Sequence, residues 1–384
     1  MKKLKIQIDG TNTLNKGAEL MLVAILEQIE KKSPNSEVIY NSVYKGINAD
    51  ELGLNIKITR RFGLKFSRIA RGILKRIKLS DNYFTSKYAI KNVDLVLDAS
   101  GFQFSDQWNY SNEKIESNEI YYRKLSKLGS KIVFLPQAFG PFESVNGKES
   151  VNTINKYAHM IIAREEISYN FLTNAVNGTN NIYKYPDFTL LVNGIVPKGY
   201  EGLKDFVCII PNSKMITHTD GTSNEYVEFM KELVQMIERN GHEVFLLNHE
   251  GKGDMTICEK INSILKNKLR IVSGLSAKEI KGIIGNSKLV ISSRYHGVAS
   301  ALNQGIPCFA TSWNHKYKML FEDFGIEDGV LEIKDNMEMI EKKVIKTFEN
   351  IDDIKRILTH KKGDLKDEVN EMWDKVWMLV EYEK

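Results

Sequence analysis

Short apolar runs alternate with amphipathic stretches along almost the whole chain. Leu4, Ile6 and Ile8 alternate with polar neighbours and predict a strand over Leu4–Ile8, followed by a helix over Ala18–Lys31 and a strand over Val38–Tyr44. The same reading gives strands at Leu95–Asp98, Lys131–Leu135 and Met160–Ala163, with helices at Glu119–Leu128, Val151–Ala158 and Glu166–Leu172 between and after them. Residues Leu191–Asp205 carry Gly and Pro without a clear period and read as a linker. The alternation then restarts. Strands at Phe206–Pro211, Val244–Asn248, Arg270–Val272, Leu289–Ser292 and Cys308–Ala310 are spaced by helices at Ser223–Asn240, Asp254–Leu265, Ser276–Gly285 and Val298–Gln304. Leu365, Val369, Met372, Trp373, Val376 and Val380 repeat at helical spacing and predict a C-terminal amphipathic helix.

A βαβ alternation in two blocks predicts an α/β chain of two Rossmann-like domains, residues 1–195 and 203–384, with mostly parallel sheets facing a central cleft. A length of 384 residues suits two domains, and a charged fraction of 27% with 42% hydrophobic residues is ordinary for a folded protein. No apolar run is long enough to span a bilayer. Lys5, Gln7 and Asp9 break the opening segment as a signal-peptide core, which places the chain in the cytoplasm. Cys208, Cys258 and Cys308 have no disulfide or zinc spacing and read as buried thiols.

Charge changes the picture in one place. Nine basic residues and no acidic one lie between Lys57 and Lys78, more than the net charge of +5, so the rest of the chain is mildly acidic. Phe66, Ile69, Ala70, Ile73, Leu74 and Ile77 recur there at helical spacing. The stretch reads either as a basic amphipathic helix for an anionic membrane surface, at the inner face, or as a solvated helix packed on its own domain. No aromatic interleaving accompanies it, so no nucleic-acid partner is expected.

The candidate chemistry sits at strand ends. Val290-Ile-Ser-Ser-Arg-Tyr-His-Gly297 takes an apolar strand into a helix through Ser292, Ser293, Arg294, His296 and Gly297. A helix N-terminus favours an anion, an arginine fork can hold a carboxylate or phosphate, and a histidine can move a proton near neutral pH. Asn15, Gly17 and Glu19 follow the first strand; Asp98 and Gly101 follow another; Gln137 and Gly140 a third. Arg164 ends a strand beside Glu165 and Glu166, and reads equally as an anion ligand or a surface ion pair. Trp313, His315, Lys316, Tyr317 and Lys318 either line the same cleft or form an exposed loop. The remaining histidines lack clustered ligand partners, so no metal is expected.

Together these segments resemble the polysaccharide pyruvyl transferase family. The likeness runs in order from Asn15-Lys-Gly-Ala-Glu19 through Asp98–Gly101, Pro136-Gln-Ala-Phe-Gly-Pro141, Ala163-Arg-Glu-Glu-Ile-Ser168 and Pro186-Asp187 to Ser292-Ser-Arg-Tyr-His-Gly297, Gly305-Ile-Pro307 and His315-Lys-Tyr317. Ala18 and Ser100 depart from the family's usual Asp and Gly. The resemblance implies a GT-B-like fold and no cofactor. Phosphoenolpyruvate would be the donor co-substrate, and the acceptor a sugar of a cell-surface polysaccharide or its lipid-linked precursor. The product would be a cyclic pyruvate ketal, with phosphate released. It implies Arg164, Arg294 and His296 as catalytic residues, with Ser292, Ser293, Gly297 and Lys316 at the donor. Asn15, Gly17, Glu19, Asp98, Gly101, Gln137 and Gly140 would serve the acceptor. Two other readings share the architecture: a glycosyltransferase using a nucleotide sugar, and a non-catalytic glycan- or lipid-binding protein.

Overall fold

The structure, a computed structural model, describes residues 3–42, 56–60, 93–217, 223–311, 315–326 and 328–381. It forms two compact units. The first comprises Met1–Thr13, Met21–Phe188 and Val369–Lys384; the second comprises Leu14–Leu20 and Thr189–Glu368. The main crossing falls at Phe188/Thr189, just ahead of the expected linker. Two exchanges depart from the expected boundaries: the first turn of the first helix belongs to the second unit, and the end of the last helix returns to the first.

The first unit holds a seven-stranded, wholly parallel sheet in the order β3-β2-β1-β4-β5-β6-β7. Its strands are β1 (Lys5–Asp9), β2 (Glu37–Ser42), β3 (Ile56–Arg60), β4 (Leu95–Asp98), β5 (Lys131–Gln137), β6 (Met160–Ala163) and β7 (Ile182–Lys184). The helices are α1 (Lys16–Lys32), α2 (Asn112–Lys127), α3 (Val145–Tyr157) and α4 (Glu166–Ala175). β4 and β6 are buried along their whole length, as parallel strands covered on both faces must be. Serines set two helix starts: Ser111 accepts from the Lys114 amide and Ser144 from the Gly147 amide. Those caps start α2 and α3 earlier than the apolar period alone suggested. Pro136 does not end β5, because the register slips between Phe134 and Gln137 and spares the missing donor.

The second unit holds a six-stranded parallel sheet in the order β10-β9-β8-β11-β12-β13. Its strands are β8 (Val207–Ile210), β9 (Val244–Leu247), β10 (Arg270–Val272), β11 (Leu289–Ser292), β12 (Cys308–Thr311) and β13 (Val330–Leu331). Its helices are α5 (Lys214–Thr217), α6 (Ser223–Arg239), α7 (Gly251–Ile264), α8 (Ala277–Gly285), α9 (Tyr295–Leu302), α10 (His315–Asp323) and α11 (Met337–Glu349). The core between α6, α7 and the sheet is aliphatic and aromatic, centred on Tyr226, Met230, Leu233, Ile237 and Leu246. α8 starts on a capping box in which Ser276 and Glu279 satisfy each other's backbone amides. All three cysteines are buried free thiols.

The terminal helix α12 (Ile351–Glu381) is longer than its apolar period indicated. Its last part buries Val369, Met372, Trp373, Val376 and Trp377 in the first unit, with Trp373 edge-on to Phe188. The expected basic helix around Arg68–Lys78 lies outside the described residues; the start of that basic run, Lys57–Arg60, is in strand β3. Among the described residues no helix is long and apolar enough to cross a membrane.

Candidate active site

In the second sheet the strand order reverses between β8 and β11. At such a point the loops leave toward opposite sides and open a crevice beyond the strand ends. The turn Ser293–Arg294 sits there, and several bonds fix its shape. The Ser292 hydroxyl accepts from the Arg294 amide at 3.0 Å. The Ser293 hydroxyl lies 2.7 Å from the Tyr226 hydroxyl and 2.5 Å from Thr311 Oγ1. The Ser293 carbonyl accepts from Asn212 Nδ2 and from the Tyr317 hydroxyl, each at 3.0 Å. The hydroxyls of Ser292 and Ser293, which the family resemblance puts at the donor, both take part in holding the turn. Gly297 is required for packing: a Cβ there would stand 2.3 Å from Ser292 Oγ.

The helix that follows starts at Tyr295, three residues earlier than its apolar period suggests, so Arg294 is its N-cap and His296 lies in its first turn. Arg294 is buried and held by two carboxylates. Its Nε donates to Asp254 Oδ2 at 2.9 Å and its Nη2 to Asp254 Oδ1 at 2.6 Å, while Nη1 donates to Glu250 Oε2. Asp254 is fully buried and also accepts from the Ser213 amide and hydroxyl. These bonds use three of the five guanidinium N–H groups and leave one on Nη1 and one on Nη2 for a ligand.

Asn15, Gly17 and Glu19 were expected on the acceptor-side domain; the structure sets them in the second unit, with Gly17 against His296. Asn15 caps α1, accepting from the Gly17 amide at 2.9 Å and the Ala18 amide at 3.1 Å. Its Nδ2 donates to Glu250 at 3.1 Å. Glu19 accepts from the Ala277 amide at the start of α8 and pairs with Lys16 at 2.6 Å. Gly17 lies so close to His296 that a Cβ would meet Nδ1 at 2.2 Å. Sequence reasoning passed over His249, just beyond β9. It is 5% exposed, and burial first, then Arg294, His296 and Lys16, hold its imidazole well below the usual histidine range. Its signal was positional: a histidine directly after a buried apolar strand.

The first sheet reverses between β1 and β4, and the register makes Asp9 and Asp98 direct neighbours at the ends of those strands. Both are buried. Asp9 accepts from Gln7 Nε2 at 2.9 Å and from the Tyr121 hydroxyl at 2.5 Å. Asp98 is pushed up to about 6, by burial above all and by the neighbouring Asp9, against the opposing Ser100 hydrogen bond. The Ser100 hydroxyl lies 2.7 Å from both Asp98 Oδ1 and Gln103 Oε1. The Ser100 amide also donates to Asp98 Oδ1, at 3.1 Å, so both Ser100 bonds favour the carboxylate form. Gly10, at φ +82, leaves the room that Ser100 fills.

Gln137 is fully buried at the end of β5, and its carbonyl accepts from the Arg164 amide at 3.0 Å. Gly101 and Gly140 both have φ near +75, and Gly140 leads into a cis bond to Pro141. Arg164 is an ion-pair residue, but a buried one. Its Nε lies 3.7 Å from Glu165 and its Nη1 4.0 Å from Asp187 at 7% exposure. Of the 313–318 run, Tyr317 joins the Ser293 turn and Lys318 is exposed beside Glu322. Lys316 starts α10 with His315; the side chains of both, and Trp313, lie outside the described residues.

Two parallel Rossmann-type sheets, each with its polar residues at the reversal, define the GT-B class of fold. Solved structures agree. Anabaena HepE in complex with UDP-glucose is 13% identical at a TM-score of 0.57, over 98% of each chain. A glycosyltransferase from Rickettsia africae is 13% identical at 0.57 over 100% of each. The UDP-GlcNAc 2-epimerase of Methanocaldococcus jannaschii is 15% identical at 0.56, over 89% of this chain and 92% of that one. No curated protein matches the chain in sequence. The sequence pattern of the polysaccharide pyruvyl transferases matches residues 15–315, most of the length, and the chain belongs to that family.

Proposed function

We propose that the protein transfers pyruvate from phosphoenolpyruvate to a sugar of a cell-surface polysaccharide or its lipid-linked precursor, forming a cyclic ketal. What carries this reading is the placement of Arg294 and His296 at the reversal of the second sheet, in a chain of this family. Phosphoenolpyruvate is a small polyanion. The remaining guanidinium donors of Arg294 and the N-terminus of α9, which has no side-chain cap, suit its carboxylate or phosphate. Arg164 serves an anionic group of the substrates as well.

The reaction needs a proton delivered to the methylene carbon of the donor. A sugar hydroxyl then adds to the neighbouring carbon and loses its proton. A second hydroxyl of the same sugar displaces phosphate at that carbon, which closes the ring and sends the second proton to the leaving phosphate. His296 delivers or removes a proton in these steps. Asp98, Gly101, Gln137 and Gly140 serve the sugar, and Asp98 has the affinity to accept a hydroxyl proton near neutral pH.

The test is phosphate release from phosphoenolpyruvate with a panel of sugar acceptors, with mass spectrometry of the product. Pyruvylated product from the wild type and none from His296→Ala supports the reading. Arg164→Lys should fail too, because an ammonium does not reproduce a guanidinium fork; unchanged kinetics would remove Arg164 from the site. The UDP complex of a structural neighbour favours a second reading, a nucleotide-sugar transferase. Turnover of a UDP-sugar without any use of phosphoenolpyruvate would establish it. The basic run at 57–78 supports peripheral contact with anionic lipid, and vesicles containing such lipid should carry the protein in flotation.

A further inference from the structure

The second unit contains a buried histidine that the proposed chemistry has not used. His249 follows β9, the neighbour of β8 in the sheet, on the segment that also supplies Glu250 and Asp254 to Arg294. It is 5% exposed, and its Nδ1 has no hydrogen-bond partner among the described residues. A buried ring nitrogen without a partner is costly, and native structures generally supply one. The groups whose charge acts on it are Arg294, the N-cap of α9, His296 in its first turn, and Lys16 from α1. Among the described residues, Asp254 and Glu250 are engaged by Arg294, and Glu19 by Lys16. The missing partner thus has a defined character. A negatively charged hydrogen-bond acceptor supplied by a ligand suits His249 Nδ1 once the ring is protonated there.

We infer that His249 is a ligand of the donor's phosphate group, and that its imidazole takes up one proton from solvent as the phosphate enters. The inference rests on the reading of phosphoenolpyruvate as donor, but the site it describes is one for a phosphate monoester or inorganic phosphate in general. In the free protein burial first, and then the charges of Arg294, His296 and Lys16, disfavour protonation of the ring. A bound dianion reverses that field, so the ring gains a proton and donates a charge-assisted hydrogen bond. His249 then resembles neither Arg294, whose guanidinium is held by Asp254 and Glu250, nor His296, which is placed to move protons in the reaction. It adjusts its charge to the presence of the ligand. Phosphate is also the released product, so the same proton must leave with it or before it.

The experiment is calorimetric titration of the full-length protein at pH 7 with phosphoenolpyruvate and, separately, with inorganic phosphate. Each titration is run in buffers of different ionisation heat, on wild type, His249→Gln and His249→Asn. Wild type should take up close to one proton more per bound anion than His249→Gln. Glutamine can still donate a hydrogen bond but cannot titrate. Affinity should fall about tenfold or more in His249→Asn, as for loss of a hydrogen bond to a charged group. A merely structural histidine would change affinity without changing proton uptake. Equal uptake in wild type and both variants overturns the inference while leaving the donor reading intact. Inorganic phosphate bound with His249-dependent uptake, and no binding of phosphoenolpyruvate, keeps the site and overturns the donor. No binding of either anion overturns both. Should the variants not fold, the imidazole signals of isotope-labelled wild type decide. One ring that is neutral in the free protein should become protonated on adding phosphate; no such change overturns the inference.

Discussion

At the reversal of the first sheet two carboxylates, Asp9 and Asp98, stand side by side on adjacent strands. At the reversal of the second, an arginine and two histidines gather where β11 gives way to α9. The backbone logic is the same in both places, with parallel strands, diverging loops and short turns at the strand ends. The chemistry is opposite. Burial drives Asp98 up toward neutrality by penalising its anion, and burial among cations drives His249 down by penalising its cation. Each reversal therefore holds a group whose charged form its surroundings penalise: a carboxylate in one case, an imidazolium in the other. A parallel sheet decides where a ligand sits, and the residues after each strand decide its charge.

The comparison breaks first at His296. His296→Ala should lower the transfer rate by about 10³-fold, the usual worth of a placed acid–base group, with donor binding largely kept. Steady-state kinetics beside calorimetry measure it, and near-normal turnover would remove proton transfer from the second reversal. Next is Asp254→Asn. It strips the fully buried partner from Arg294 and should cost about 3–5 kcal/mol of unfolding free energy in urea titrations. A loss under about 1 kcal/mol would mean that the guanidinium is not pinned as described.

Asp98→Asn sharpens the contrast, because its effect on stability should be a gain. The folded-state affinity of Asp98 lies at about 6 against 3.8 for an ordinary aspartate. The folded protein thus binds more protons than the unfolded chain between those values, and stability falls as pH rises through the window. Above pH 6 the full cost, about 3 kcal/mol, is present, and asparagine removes it. The variant should be more stable than wild type at pH 7.5, show no such gain at pH 4, and transfer pyruvate poorly. Equal stability at both pH values would remove the buried-carboxylate account. His249 has the opposite sign. Its folded-state affinity is depressed, so it costs stability as pH falls below about 6.5. Urea midpoints of His249→Gln and wild type should therefore diverge on acidification, with wild type losing more.

Gly17→Ala should lower turnover by about 10²-fold through displacement of His296, although alanine is the better helix former. Full activity would show that the close approach has no part in catalysis. Lys318→Ala breaks only an exposed pair at 3.9 Å and should change stability by less than about 0.5 kcal/mol.

Much of this was legible in the sequence. The strands at Leu95–Asp98, Met160–Ala163, Arg270–Val272 and Leu289–Ser292 have the expected bounds, because short apolar runs between polar turns leave little choice. Helix starts were less legible where a cap outranks the apolar period, as at Ser111 and Ser144, or where polar residues open the helix, as at Tyr295 and His296. β7 and β13, three and two residues long, carry too little pattern to read. At the site, residue types at strand ends singled out Arg294, His296 and Asp98. Spacing could not assign Asn15, Gly17 and Glu19 to the second unit, because a helix shared between two units looks continuous in sequence. Nor could it show that Arg294 is held by Glu250 and Asp254, some forty residues away.

The path of α12 bears on the order in which the chain acquires its structure during synthesis. Strands β1 to β7 leave the ribosome before any strand of the second unit, yet the wall that covers Phe188 is built from Trp373 and its neighbours. Tyr185 waits for the same segment, donating to Glu371 at 2.9 Å and accepting from Lys375 at 2.7 Å. The unit begun first cannot close until the whole of Thr189–Glu368 has been translated. Its aromatic flank stays open to water, or to a chaperone, throughout that interval.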